Sequence, residues 1–297
     1  MTVKGARQLG NEVRTYLYIK HLAATSGLAH AARSARRLAS VASAARHPHL
    51  GMLSAEDEMI DACLKRFISA RTNCLDIGAH IGSVAHRLRE LAPDGDLTLI
   101  EPSEMKAAWL KRRFGEANVI RAAASDASGS ATFFDNADAP GYSRLRTRNG
   151  AASEEHVAGR EYEVPLVRLD DLFADRRVDF IKIDVEGHEL PALKGGAGLL
   201  ARCRPVILFE AGAIAAGAET DDAMDLFDWL EETFGYRIFP AFHLIYDRRP
   251  ISRDTFREYR RYPFACFNYF ALPPEAGAPN GTDADVATAR GDARGKS

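Results

Sequence analysis

Two short stretches concentrate residues that can bind a ligand and do chemistry. The first is Thr72-Asn-Cys-Leu-Asp-Ile-Gly-Ala-His-Ile-Gly-Ser83, where apolar Cys74, Leu75 and Ile77 surround an acid, Asp76, and two glycines, Gly78 and Gly82, follow. A helical pattern runs on from Ile81 to about Leu91. Strand, glycine turn and helix together let a backbone come close to a nucleotide-like ligand, because glycine has no Cβ to hold it off. The spacing is Gly-x-x-x-Gly, not the Gly-x-Gly-x-x-Gly of dinucleotide binders. A pyrophosphate needs an electropositive mouth, and an acid two residues before the first glycine opposes that. It suits a ligand with a cationic end, such as the sulfonium and ammonium of S-adenosylmethionine.

The second stretch is Val178-Asp-Phe-Ile-Lys-Ile-Asp-Val-Glu-Gly-His-Glu189, an apolar strand core that ends in Asp184, Glu186, His188 and Glu189. Acids close other strand-like runs as well: Glu101 after Asp96-Leu-Thr-Leu-Ile, Asp126 after Asn118 to Ser125, and Glu210 after Pro205-Val-Ile-Leu-Phe. In a parallel sheet such ends share one rim, where ligands bind. Each group has a job there. Glu101 is expected to accept hydrogen bonds from ribose hydroxyls, and Ser125 with Asp126 to meet the adenine amino group. Gly78, Ala79, His80 and Gly82 pass beneath the ligand, and Asp76 sets the field at its cationic end. Asp184, Glu186 and His188 are the candidates for taking a proton from an acceptor hydroxyl. Tyr142, Ser143 and Glu210 are candidates for holding the acceptor. Asp184 with Glu210 could instead ligate a divalent cation through oxygen, but the sequence offers no clear third ligand, so no metal is expected.

Leu75-Asp-Ile-Gly-Ala-His-Ile-Gly82, Glu101-Pro, Ala123-Ala-Ser-Asp126, the Asp179 to Glu189 segment and Phe209-Glu210 together resemble the FkbM family of S-adenosylmethionine-dependent methyltransferases. The likeness covers roughly residues 54–272, and Lys-Ile-Asp-Val-Glu-Gly is its specific part. Two positions depart from the usual pattern: His80 stands where Asn is customary, and His188 where Ala is frequent. The resemblance implies S-adenosyl-L-methionine as cofactor and methyl transfer, commonly to a hydroxyl of a sugar or polyketide-type product.

The elements that must position these residues alternate between strand and helix. Helices are expected from a capping box at Ser54-Ala-Glu-Asp57 to near Ser69, and over Glu104–Phe114, Leu190–Leu200 and Asp221–Phe234. Beyond the runs already named, strands are expected around Ala131–Phe134, Glu161–Arg168, Tyr236–Phe239, Leu244–Tyr246 and Ala265–Leu272. The fold class is α/β: a Rossmann-like, seven-stranded class I methyltransferase fold with a mostly parallel sheet and helices on both faces. Residues 54–272 form the methyltransferase domain and residues 135–160 a long polar loop within it. Residues 1–53 are a basic helical extension, with Lys4, Arg7, Arg14, Lys20, Arg33, Arg36, Arg37 and Arg46 against Glu12. It is expected to pack on the domain or on a second copy in a homodimer, with docking on a membrane surface or an acidic partner, or a cleavable transit peptide, as the alternatives. Residues 273–297 lack an apolar pattern and read as a disordered tail.

Composition narrows the classes. The chain has 297 residues, 46% of them hydrophobic and 27% charged, which suits a globular domain with appendages. A net charge of −2 gives no overall attraction to nucleic acid. A base-directed methyltransferase would want an Asn/Asp-Pro-Pro-aromatic motif where Asp184-Val-Glu-Gly stands, or a Pro-Cys nucleophile, and neither occurs. A nicotinamide oxidoreductase is disfavoured by the glycine spacing. Four scattered cysteines without a Cys-x-x-Cys pair suit a reducing, cytoplasmic setting, and no apolar run reaches the ~20 residues of a membrane span. The alternatives to a small-molecule or glycan O-methyltransferase are a non-catalytic scaffold that binds the same cofactor and a nucleic-acid methyltransferase.

Overall fold

In the computed structural model, the described residues are 51–136, 143–145, 159–215 and 217–276. The expectations for residues 1–50, for Tyr142 and most of the long polar loop, and for residues 277–297 lie outside them.

One sheet carries the site. It consists of β1 (Cys74–Ile77), β2 (Leu97–Ile100), β3 (Val119–Ile120), β8 (Phe180–Ile183), β9 (Val206–Glu210), β10 (Arg237–Pro240) and β11 (Asn268–Leu272). Their order is β10-β11-β9-β8-β1-β2-β3. The five strands from β9 to β3 are parallel, and β11 runs antiparallel between β9 and β10. This is the seven-stranded, mostly parallel α/β architecture expected from the sequence. The run Asn118–Ala124 is not one strand, however. Val119–Ile120 joins the main sheet, while β4 (Ala123–Ala124) turns into a second sheet with β5 (Gly129–Asn136), β6 (Arg144–Leu145) and β7 (Gly159–Val167), in the order β4-β7-β5-β6. That arm has its own small core of Ala123, Phe133 and Val164.

The central strands are buried on both faces, as parallel strands under crossover helices must be. Leu75, Ile77, Ile181, Ile183, Ile207 and Phe209 face one core. It is closed by the short helices α5 (Glu189–Lys194) and α6 (Ala197–Cys203) and by α7 (Asp222–Phe234). Cys74, Leu97, Leu99, Phe180, Leu208 and Phe270 face the other, beneath α1 (Gly51–Phe67), α2 (Ser83–Leu91), α3 (Glu104–Phe114) and α8 (Ala241–Ile245). A short helix, α4 (Leu169–Leu172), follows β7, and α9 (Arg253–Tyr259) precedes β11.

Three further expectations need correction, and one helix was not expected. Residue 54 lies within the helix Gly51–Phe67 and is not its cap; Glu56 instead accepts the backbone N–H groups of Phe267 and Asn268 at 2.9 and 2.7 Å. Leu190–Leu200 is two helices, broken at Gly195-Gly196, where a Cβ on Gly195 would stand 1.9 Å from the Ser125 carbonyl oxygen. Leu244–Tyr246 is not a strand: Leu244 lies in α8 and Tyr246 caps its end. Arg253–Tyr259 carries a helix that apolar periodicity did not announce, capped by the Ser252 hydroxyl, which accepts from Thr255 N–H. The fold's burial demands set these local outcomes where short-range pattern is ambiguous.

Candidate active site

The glycine turn leaves β1 on the rim formed by the carboxyl ends of the parallel strands. Gly78 (φ 74°), His80 (φ 50°) and Gly82 (φ 82°) all take left-handed backbone conformations, and Gly82 caps α2. Gly78 and Ala79 N–H both donate to the Ile100 carbonyl, at 2.9 and 3.2 Å, which ties the turn to the end of β2. Each missing Cβ makes room for protein. A Cβ on Gly78 would stand 1.9 Å from the Asp184 carbonyl oxygen, and one on Gly82 would meet Phe114 and Leu110 at 2.7 and 2.8 Å. The glycines therefore let the turn sit against β8 and α3 as well as giving it its shape.

Glu101 follows β2 directly and is buried. Its Oε2 accepts His80 N–H at 2.8 Å and its Oε1 accepts Ser103 N–H at 2.9 Å. Burial pushes its pKa up, opposed by the Lys106 charge and by those two backbone donors. A carboxylate has about four acceptor positions, so each oxygen keeps capacity for one further donor.

Asp76 lies within β1, below the rim, with no exposed surface. Neither carboxylate oxygen has a hydrogen-bond partner among the described residues. Its compensation is ionic. The parallel register sets Asp76 opposite Lys182 of β8, and Lys182 Nζ lies 3.3 Å from Asp76 Oδ1. The same ammonium donates to the Gly78 carbonyl at 2.9 Å and lies 3.6 Å from Asp184 Oδ2. Burial works against the Lys182 charge, but Asp76 and Asp184 outweigh it and raise its pKa. Burial raises the Asp76 pKa, with Lys182 opposing. The field assigned to Asp76 from sequence thus belongs to the group Asp76, Lys182 and Asp184.

Beyond β8 the chain turns through Glu186 (φ 56°) and Gly187 (φ 91°). Buried Glu189 braces this turn, accepting Val185 N–H at 2.8 Å and Gly187 N–H at 3.4 Å. The turn opens on a cleft of about 270 Å³ whose wall includes Asp184, Glu186, Glu189, Glu210, Asp222 and Arg260. Arg260 is already committed, donating to the Gly212 carbonyl and to Asp221. Burial, then Asp184 and Glu186, push Glu210 up to about 8. Burial, then Asp184 and Glu189, push Glu186 up to about 7. Glu186 is exposed and water screens it, so the half-buried Glu210 carries the stronger argument. Among the described residues no group of three or more His, Cys, Asp or Glu is arranged to hold a metal ion.

The structure brings Asp184, Glu186 and Glu210 together and sets two other candidates apart. His188 Nε2 lies 3.1 Å from Ser125 Oγ, which in turn donates to Asp126 at 3.3 Å. The imidazole therefore belongs with the pair expected at the adenine, not with the cleft acids; burial lowers its pKa against the pull of Asp126 and Asp222. Asp126 itself is exposed beyond β4, in the second sheet. Ser143 is held inside the arm: its hydroxyl donates to Asp135 at 3.1 Å and accepts from Asn136 N–H and Lys106 Nζ at 3.1 and 3.3 Å. Sequence reasoning missed Lys182 and Lys106 as parts of the site. The available signal for Lys182 was a lone charge inside an apolar strand core, at the same position in its motif as Asp76 in the other.

Residues 76–238 match the Methyltransferase FkbM domain. The chain belongs to this family of S-adenosylmethionine-dependent methyltransferases. Among solved structures, it is similar to methyltransferase FkbM from Methylobacillus flagellatus KT, at 19% identity over 69% of this chain and 44% of that one, with a TM-score of 0.41. The match thus spans less than half of that protein. A SAM dependent methyltransferase from Aquifex aeolicus aligns at 14% identity over 72% of this chain and 87% of that one, with a TM-score of 0.35. No curated protein matches. No helix among the described residues is long and apolar enough to cross a membrane.

Proposed function

We propose that this protein transfers a methyl group from S-adenosyl-L-methionine to a hydroxyl of a small molecule or glycan, of the sugar or polyketide type. One observation carries the O-directed part of the reading: Glu186 and Glu210, carboxyls raised to about 7 and about 8, line a cleft whose wall includes Asp184, the residue against which Gly78 packs. A hydroxyl must lose a proton as it is methylated, and a base that titrates near the working pH serves that step best.

The residues at the turn fit the cofactor. Glu101 has acceptor capacity left for two ribose hydroxyls, and Ser125 and Asp126 are polar neighbours for an adenine edge. Two acids, Asp76 and Asp184, flank the single ammonium of Lys182, an arrangement that suits a cationic ligand end. When bound, the cofactor supplies a methyl group already activated on a sulfonium. The chain's task is then to hold the acceptor oxygen in line, worth ~7–11 kcal/mol, and to receive its proton. As the acceptor is methylated, its hydroxyl proton passes to Glu210 or Glu186. Asp184 is engaged by Lys182, and His188 is assigned to the cofactor side. All four cysteines are free and buried, which suits the cytoplasm as the site of action.

The test is methyl transfer from isotopically labelled S-adenosylmethionine to a panel of sugar and polyketide hydroxyls and matched amines. A methyl ether on a hydroxyl acceptor, lost in Glu210→Gln, is the expected result. Transfer to amines alone, or none by a protein that binds the cofactor, contradicts the reading.

A further inference from the structure

Lys182 makes more contacts than a buried ion pair requires. Pairing with Asp76 alone would neutralise that acid, and such pairs can often be exchanged for apolar residues with little loss of stability. Here the ammonium also reaches the Gly78 carbonyl at 2.9 Å and Asp184 at 3.6 Å. One group thus touches the turn on the cofactor side and an acid on the cleft side. We propose that Lys182 is a positioning residue: it fixes the glycine turn relative to Asp184 and, by occupying Asp184, leaves the cleft's exchangeable proton to Glu210.

This inference rests on reading the cleft as the acceptor site. The groups facing Lys182 are Asp76 on β1, the Gly78 carbonyl, Asp184 at the end of its own strand and, at longer range, Glu210 on β9. Those facing Glu210 are Asp184, Glu186 and Lys182. Elsewhere in the cleft, Glu189 is held by backbone donors and Asp221 by Arg260. Glu210 faces Asp184, and burial together with that neighbouring acid favours its protonated form. Lys182, 3.6 Å from Asp184 Oδ2, is the cation in place beside that pair of acids. Without it, Asp76, Asp184 and Glu210 compete for protons and an aspartate takes one. Activity does not depend on Lys182 touching the reacting atoms.

The experiment is carboxyl-¹³C NMR titration of the full chain, labelled on aspartate in one sample and glutamate in another, between about pH 5 and about pH 9. In the wild type, glutamate signals are expected to titrate near neutrality and above, one of them absent in Glu210→Gln, while no aspartate signal moves in that range. In Lys182→Met an aspartate signal should join them. If that variant fails to fold, Asp76→Asn/Lys182→Met removes both buried charges and is read the same way, through Asp184. An aspartate titrating near neutrality in the wild type overturns the proposal. So does a folded Lys182→Met or double variant whose aspartates stay silent. Calorimetry with S-adenosylhomocysteine runs alongside. A wild type that titrates as expected yet does not bind it contradicts the proposed function and leaves the assignment of Lys182 standing.

Discussion

Asp76 and Lys182 face each other in register across neighbouring parallel strands, with their charges 3.3 Å apart and Asp76 wholly out of water. The pair lies beneath the glycine turn on one side and Asp184 on the other, so the turn and the cleft wall share one buried ionic support. Truncating only one partner leaves the other uncompensated. Lys182→Met is expected to lower unfolding stability by ~3–5 kcal/mol, and Asp76→Asn/Lys182→Met to recover much of that loss. Urea denaturation of the two variants and the wild type checks this. A double variant no more stable than Lys182→Met would show that the pair does not act as a unit.

Two glycines with similar backbone should respond differently. Gly187 (φ 91°) has nothing within 4 Å of where a Cβ would lie, so Gly187→Ala meets only left-handed strain of ~1–2 kcal/mol. Gly78→Ala would drive a methyl group to 1.9 Å from the Asp184 carbonyl oxygen and force β1 from β8. It should cost well over the ~1–3 kcal/mol of ordinary overpacking and abolish cofactor binding. Thermal melts of both variants give the comparison, and equal effects would contradict the packing role assigned to Gly78.

The raised carboxyls predict a pH dependence of definite sign. Glu210, at about 8 in the folded chain against an ordinary 4.5, binds its proton more tightly when folded. Its contribution is therefore fully present below about pH 4.5 and is lost as pH rises through about 8. Glu210→Gln should be more stable than wild type at about pH 8.5, by an amount on the order of 1–3 kcal/mol, and the two should converge in acid. Turnover by the wild type should rise through the same window, and the variant should lose ~10²–10⁴-fold in kcat. Denaturation curves and a pH–rate profile measure the two effects.

His188→Ala separates two roles. Its bond to Ser125 Oγ predicts weaker affinity for S-adenosylhomocysteine with little change in kcat at saturating cofactor. A large fall in kcat at unchanged affinity would return His188 to the role of base.

Glu101→Ala removes the acceptor of two backbone N–H groups, from His80 and Ser103. Cofactor affinity should fall by more than ~10-fold, at a cost of ~1–3 kcal/mol in stability for the stranded donors. Calorimetry and denaturation measure the two together, and wild-type affinity in this variant would remove Glu101 from the cofactor site.

The sheet was legible in the sequence because each central strand is an apolar run with a turn signal after it: Cys74–Ile77 before Gly78, Leu97–Ile100 before Pro102, Phe180–Ile183 before Gly187. The grouping of Asp184, Glu186 and Glu210 was legible too, because parallel strands end on one rim. What sequence could not supply was direction. His188 sits two residues from Glu186, yet the turn at Gly187 and the start of α5 carry its ring to Ser125. Ser143 was placed over an acceptor, yet Asp135 and Lys106 hold its hydroxyl within the arm. The strands of the arm were expected at Ala131–Phe134 and Glu161–Arg168, but the run Asn118–Ala124 gave no sign that Ala123–Ala124 leaves the main sheet to join them.

The most direct test of the central claim is calorimetric titration of the purified wild-type protein with S-adenosylhomocysteine, with NADH as the control. Micromolar binding of S-adenosylhomocysteine and none of NADH is the result expected from the turn at Gly78, the acceptors on Glu101 and the charge around Lys182. Binding of NADH alone, or of neither, would contradict it.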